Sequence, residues 1–245
     1  MKLHHAPLIA TLAAIAAIGC SEAKTDKQPS QTADTAAAVE TAPQQIPEPD
    51  YPRAMGFSKA VKTIEGESTD RNYEMEYHSY TFDEQGHLTE YETGETVENS
   101  LSETFFFGDD GLPTSGKSVF INYWVGDVEG DDYPVTTTPY KITKETADSV
   151  TTIHIEGGDE GKRVLATLTR DKHNRIVQVT NTELKKTFKY TYDDQNVPHY
   201  SDGSVAVPQV DMIGAPAIKC PATIKAGAKQ MKAGTWTYKI TYYPK

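Results

Sequence analysis

Cys20 is the residue whose neighbours prescribe a chemistry. Lys2 gives the chain a positive start, and Leu8 to Ile18 is an 11-residue, uncharged and mostly aliphatic run. Ala17-Ile18-Gly19-Cys20 closes it with a small residue directly before a cysteine. An export signal needs a basic start, roughly 7–15 apolar residues and small residues at the cut. A cysteine at that cut is the pattern of a bacterial lipoprotein signal, in which Cys20 becomes the acylated first residue of the mature chain. That chemistry adds two or three acyl chains, and where one chain anchors marginally, two hold firmly. The run is shorter than the ~20 residues a membrane-crossing helix needs. Ala17 stands where lipoprotein signals usually carry Leu, and Ala14, Ala16 and Ala17 also permit an ordinary, lipid-free cut. Ser21 rather than Asp follows the cysteine, which favours the outer membrane over the inner.

Other reactive residue types lack a spacing that selects them. Gly126 to Pro134 is the densest acidic loop, and Asp127, Glu129 and Asp131 alternate as calcium ligands do. Asp132 and Thr138 occupy the places where a calcium loop needs glycine and its closing glutamate, so a solvated loop is expected. His78, His87, His154, His173 and His199 form no His-x-x-x-His pair, and Cys220 is the one cysteine besides Cys20, so a zinc site is not expected. No Gly-x-Ser-x-Gly elbow occurs. A glycosidase needs two carboxylates about 5–10 Å apart, and nothing in the spacing selects such a pair. Tyr190, Tyr192, Trp236, Tyr238, Tyr242 and Tyr243 could stack on sugars or peptides, but alternation assigns most of them to one buried face and leaves Tyr243 as the exposed candidate. No catalytic residue, metal ligand or cofactor is assigned.

The charge balance narrows the partners. The chain has 35 acids and 24 Lys and Arg, a net charge of −11. Loss of residues 1–19 removes Lys2 and no acid, which makes the mature value −12. Such a chain is repelled by nucleic acid and by anionic lipid surfaces. In an oxidising compartment the lone Cys220 cannot staple its own fold, so a buried, inert thiol is expected rather than a mixed disulfide with a partner.

The elements that position these residues fall into three parts: signal at 1–19, lipidated cysteine and tether at 20–50, folded domain at 51–245. Ser21 to Asp50 has no Gly and no aromatic residue and is rich in Ala, Thr, Gln and Pro. Such a segment buries too little apolar surface to offset the entropy of ordering it. Thirty residues of coil reach about 30 Å root-mean-square, enough to hold the domain off a membrane. Beyond Tyr51, period-two alternation predicts strands in Tyr73 to Phe82, Val150 to Ile155, Val164 to Leu168, Thr187 to Tyr192 and Thr235 to Tyr242. The best helical stretch is Ala226 to Lys232, bounded by Gly227 and Gly234. The expected fold class is all-β: one antiparallel domain of successive hairpins, as a curved sheet, a sandwich or an open barrel.

Four turns share one design: Asp83 with Gly86, Gly108 with Gly111, Asp171 with Asn174, and Asp193 with Asn196. An Asp side chain accepts bonds from backbone N–H groups just ahead of it, and Gly or Asn tolerates positive φ. A type I turn ending in a left-handed residue closes a hairpin. Each turn alone supplies too few oxygens for calcium. The turns resemble the YD repeat of the RHS and teneurin families over about nine residues each. Their first residues lie 25, 63 and 22 positions apart, so the array is broken and only the hairpin carries over.

A longer resemblance covers Arg170 to Asp202. Asp193, Asp194, Gln195 and Pro198, with the aromatics Tyr190 and Tyr192, match the YnfC-type bacterial lipoprotein family, whose members also share a short signal ending in Gly-Cys and a Tyr-rich final strand like Tyr238 to Tyr243. Asn196 replaces that family's glycine, and its additional cysteines are missing. The family has no assigned function, so the resemblance implies class and location only. The expectation is a non-enzymatic envelope lipoprotein, held to the membrane through Cys20 and facing the periplasm, that acts as an interaction or scaffold module toward an envelope protein or glycan. A lipid- or glycan-binding protein on a curved sheet is the alternative, and a cryptic envelope hydrolase is a further one.

Overall fold

The structure is a computed structural model; it describes residues 47–68, 76–96, 99–123, 133–157 and 161–244. After a short helix α1 (Tyr51–Ala54) come β1 (Val61–Ser68), β2 (Glu76–Phe82), β3 (Leu88–Thr96), β4 (Asn99–Phe107), β5 (Pro113–Asn122), β6 (Val135–Ala147), β7 (Val150–Glu156), β8 (Lys162–Arg170), β9 (Ile176–Asn181) and β10 (Lys186–Lys189). A two-stranded hairpin, β11 (Thr191–Tyr192) and β12 (Pro198–His199), precedes helix α2 (Pro208–Met212), and β13 (Gln230–Ala233) and β14 (Trp236–Tyr242) end the chain. Twelve strands form one antiparallel sheet, in which β2 to β10 pair in sequence order, β14 pairs with the free side of β1, and β13 covers β14. The sheet does not close, and its two edges are β10 and β13. Both edges are four residues long and carry lysines (Lys186, Lys189, Lys232), a common way of blunting an edge against further pairing.

The expected all-β class holds, as a single open sheet. Alternation places Ile64, Tyr80, Phe105, Ile153, Leu168 and Val179 on its buried face. In β8 the alternation breaks, since Leu165 and Ala166 are both buried. The cause is a bulge: Ile153 pairs with Ala166 and His154 with Val164, which leaves Leu165 as an extra residue between them.

How far the sheet curls follows from the return segment between β12 and β13. Asn181 of β9 donates from Nδ2 to the Met212 carbonyl (2.9 Å), and the Tyr80 hydroxyl of β2 donates to the Pro216 carbonyl (2.6 Å). Four residues separate those carbonyls, about 14 Å of chain at full extension. On a flat sheet β9 and β2 stand seven strand spacings apart, roughly 34 Å. Even with both side chains extended the chain falls short, so the sheet bends around the return segment. The amide of Lys219 then reaches the Tyr238 hydroxyl of β14 (3.3 Å), which ties the segment to the far side.

Two local expectations are corrected. Ala226 to Lys232 is not helical: a turn closed by Ala228 N–H to the Lys225 carbonyl leads into β13, with Gly227 at φ +69°. Seven residues are too few to nucleate a helix without a packed face, and pairing with β14 takes the chain instead. The run Thr187 to Tyr192 is not one strand, because β10 stops at Lys189 and β11 belongs to the small hairpin. Packed chain also begins before Tyr51, at Glu48.

Candidate functional site

The four turns expected from the sequence form as read. The amides of Gly86, Gly111, Asn174 and Asn196 donate to the carbonyls of Asp83, Gly108, Asp171 and Asp193, and all four closing residues have φ between +63° and +86°. Asp83 Oδ1 accepts from the amides of Gln85 and His87, Asp171 Oδ1 from those of His173 and Arg175, and Asp193 Oδ1 from those of Gln195 and Val197. Where Gly108 replaces the first Asp, Asp110 Oδ1 accepts from the Leu112 amide instead. A fifth turn of this form, Tyr200 to Ser204, escapes the sequence pattern because Tyr opens it; Gly203 has φ +82° and Asp202 accepts from the Ser204 amide. One oxygen of each carboxylate is spent on its own turn backbone; the second oxygens of Asp83, Asp110, Asp171 and Asp193 meet His87, Lys144, Arg175 and His199.

Meander connectivity puts the tips of β2–β3, β4–β5 and β8–β9 at one end of the sheet, and residues 47–51 cross that end. The Tyr51 amide donates to the Gly86 carbonyl, and Gln209 Nε2 of α2 donates to Glu48 Oε1 (2.7 Å). Burial pushes the Glu48 carboxyl up to about 7; His87 opposes this, and Asp110 and Asp83 add to it. The cavity among Glu48, Asp110, Arg170, Asn174 and Tyr192 measures about 60 Å³, room for a few waters and not for an organic ligand.

The larger space lies along the return segment, between edge strand β10 and the start of β14. It is an open groove of about 1040 Å³. Phe188 of β10 forms one wall, Trp236 of β14 the other, and Gly214 to Cys220 the floor. Asp211 fixes that floor. It is 2% exposed, and its Oδ2 accepts from the hydroxyls of Tyr190 (2.6 Å) and Tyr200 (2.9 Å). Burial pushes its carboxyl up to about 6, against the two tyrosine bonds, which favour the charged form; the same contact with Asp211 and burial push both phenols upward. Asn181, fully buried, completes the clamp: its Nδ2 donates to the Asp211 (3.3 Å) and Met212 carbonyls and its Oδ1 accepts from the Leu184 amide. This arrangement binds chain to chain. Asp211 takes both of its side-chain hydrogen bonds from tyrosines.

The remaining expected residues are dispersed. Cys20 and the loop carrying Asp127, Glu129 and Asp131 lie outside the described residues. His78 Nδ1 shares a 2.6 Å hydrogen bond with the Tyr91 hydroxyl in the core, His87 Nδ1 lies 3.0 Å from Asp83 Oδ2, and His199 Nε2 lies 3.1 Å from Asp193 Oδ2. Among the described residues no three His, Cys, Asp or Glu side chains come together as a metal site. The aromatic set is not one platform. Tyr190 and Tyr238 are buried, Tyr192 lies under Arg175 (4.6 Å), Tyr242 donates to the Ala228 carbonyl, and only Trp236 among the six lines the groove. Tyr243 is half-buried rather than exposed, because the chain leaves the strand there and its hydroxyl donates to the Phe82 carbonyl (2.7 Å). Cys220 lines the groove, half-buried, with burial pushing its thiol up to about 11, so it stays protonated and unreactive at neutral pH.

The groove itself was not legible in the sequence. Its one local signal is Gly214-Ala215-Pro216-Ala217, a run of small side chains that leaves space above it. No family model, no curated protein and no solved structure matches the chain.

Proposed function

We propose that the chain is a bacterial envelope lipoprotein, anchored through acyl chains on Cys20, whose β-domain is a non-enzymatic binding module working through the groove between β10 and β14. The groove carries the reading: it is a concavity of about 1040 Å³, at the upper end of what accommodates small ligands. The export-type start and the Ser21 to Asp50 tether support the anchor. A net charge of −11 argues against nucleic acid as the partner. The acids nearest the groove, Asp202 and Asp211, hold backbone and tyrosine groups in place, which favours binding over hydrolysis.

Of the two readings, scaffold toward a protein and binding of a lipid or glycan, the groove favours the second, since it runs along an apolar floor. The test is affinity capture of the lipidated chain from native membranes, beside Ala217→Phe, which fills the groove. A binding module predicts molecules retained by the wild type and lost by Ala217→Phe. Equal recovery from both contradicts it.

A further inference from the structure

Two features of the groove select a ligand chemistry. The first is charge. Acids outnumber bases 35 to 24 in the chain, yet Lys186, Lys189 and Lys219 all line this groove and are exposed. Lys141, Lys144, Lys162 and Lys239 are paired with carboxylates; the three groove lysines make no ion pair among the described residues. Asp202 and Asp211 also line the groove and Lys186 acts on Asp211 through its charge, but no carboxylate stands within ion-pair distance of the three lysines among the described residues, and three lysines face two acids.

The second is the lining between those lysines. Ala215, Pro216 and Ala217 form a narrow floor flanked by Phe188 and Trp236, and Leu184 stands at the rim with 51% of its surface exposed. A glycan site offers hydrogen-bonding groups at short intervals. Here three of the lining hydroxyls are engaged within the protein: Tyr200 donates to Asp211, Ser204 Oγ to Asp202, and Thr187 pairs with Thr180. An alkyl chain needs no such partners and gains about 0.8 kcal/mol for each methylene it buries. Lys186 lies over the Phe188 ring at 4.5 Å, so a cationic group already stands at the junction of rim and floor.

We propose that the groove binds a long-chain fatty acid, with its carboxylate on the rim lysines and its chain along Ala215 to Ala217 between Phe188 and Trp236. The proposal rests on the groove being the ligand site.

Equilibrium binding of tritiated palmitate to the full chain tests it, with dodecylamine and a maltooligosaccharide as competitors. The expected result is saturable binding of one palmitate, displaced by neither competitor, weakened at least tenfold in Lys186→Glu/Lys219→Glu and lost in Ala217→Phe. The charge-reversed variant alters exposed residues only, so it keeps the test open if Ala217→Phe does not fold. Palmitate binding that dodecylamine displaces equally, or that the lysine reversal leaves unchanged, overturns the proposal as non-specific adsorption. Saturable binding of the oligosaccharide without palmitate overturns the fatty acid and leaves the groove as a ligand site. Binding of neither, with Ala217→Phe also silent in membrane capture, removes both.

Discussion

Glu48 lies so close over Gly111 that a Cβ on that glycine would stand 1.7 Å from its Oε1. Asp50 covers Gly86 in the same way, at 2.2 Å from the corresponding position. Both glycines also have positive φ, so each meets two demands at once. Asn174 and Asn196 close the equivalent turns at φ +63°. At Gly86 and Gly111 the packing above leaves no room for a side chain, which selects glycine over asparagine there.

Gly86→Ala and Gly111→Ala should each destabilise the domain by about 2–4 kcal/mol, from the left-handed backbone plus displacement of residues 48–50. Asn174→Gly and Asn196→Gly should stay within about 0.5 kcal/mol. Urea unfolding measures both sets. Equal losses at all four turns would show that φ alone sets the choice.

Stability should fall as the pH rises from 4.5 through 7. The Glu48 carboxyl is raised from 4.5 to about 7 in the fold, so its contribution is fully present below 4.5, is lost progressively as the pH rises to 7, and is absent above. Asp211, raised to about 6, acts in the same direction. Gln209 Oε1, buried and without a hydrogen-bond partner among the described residues, is a ready acceptor for the proton of a neutral Glu48 once the amide turns over. Glu48→Gln should melt above the wild type at pH 8, by about 1–3 kcal/mol of stability, and with it near pH 4.5. At the acid end the order reverses: backbone bonds hold Asp193 below its usual value, and Arg175 does so for Asp171 against its burial, so their contribution disappears as the pH drops below 3.8.

Asp211→Ala should cost about 2–5 kcal/mol, because it leaves the buried Tyr190 phenol and the half-buried Tyr200 phenol without their acceptor. Asp202→Ala, on an exposed turn, should leave the melting curve close to the wild type. Thermal melts separate the two. A small effect at Asp211 would mean that the tyrosines find other partners and that the groove floor is not fixed there.

How much of this could be read from the residues depends on range. The turns were legible because Asp83, Asp171 and Asp193 act within four residues of themselves, and the strands because alternation is local. Pairing of β1 with β14 was not, since Val61 and Tyr242 meet only after the whole meander is laid down. Glu48 looked like tether because the chain from Ser21 to Asp50 has no aromatic residue and no alternation; its partners, Gly111 and Gln209, lie far away in sequence. The groove depends on the bend of the sheet, which in turn depends on Asn181 and Tyr80 gripping the same short segment.

Metabolic labelling with palmitate should mark the wild type and leave Cys20→Ala unmarked and released from membranes. Labelling of neither protein would remove the anchor and leave the ordinary export signal.

The binding role is tested most directly by a photo-crosslinking amino acid placed at Ser201, on the groove, and at Thr137, on the outer face of β6, in living cells. Adducts at Ser201 and none at Thr137 are predicted. Adducts at both positions alike, or none at Ser201, would contradict a module that works through the groove.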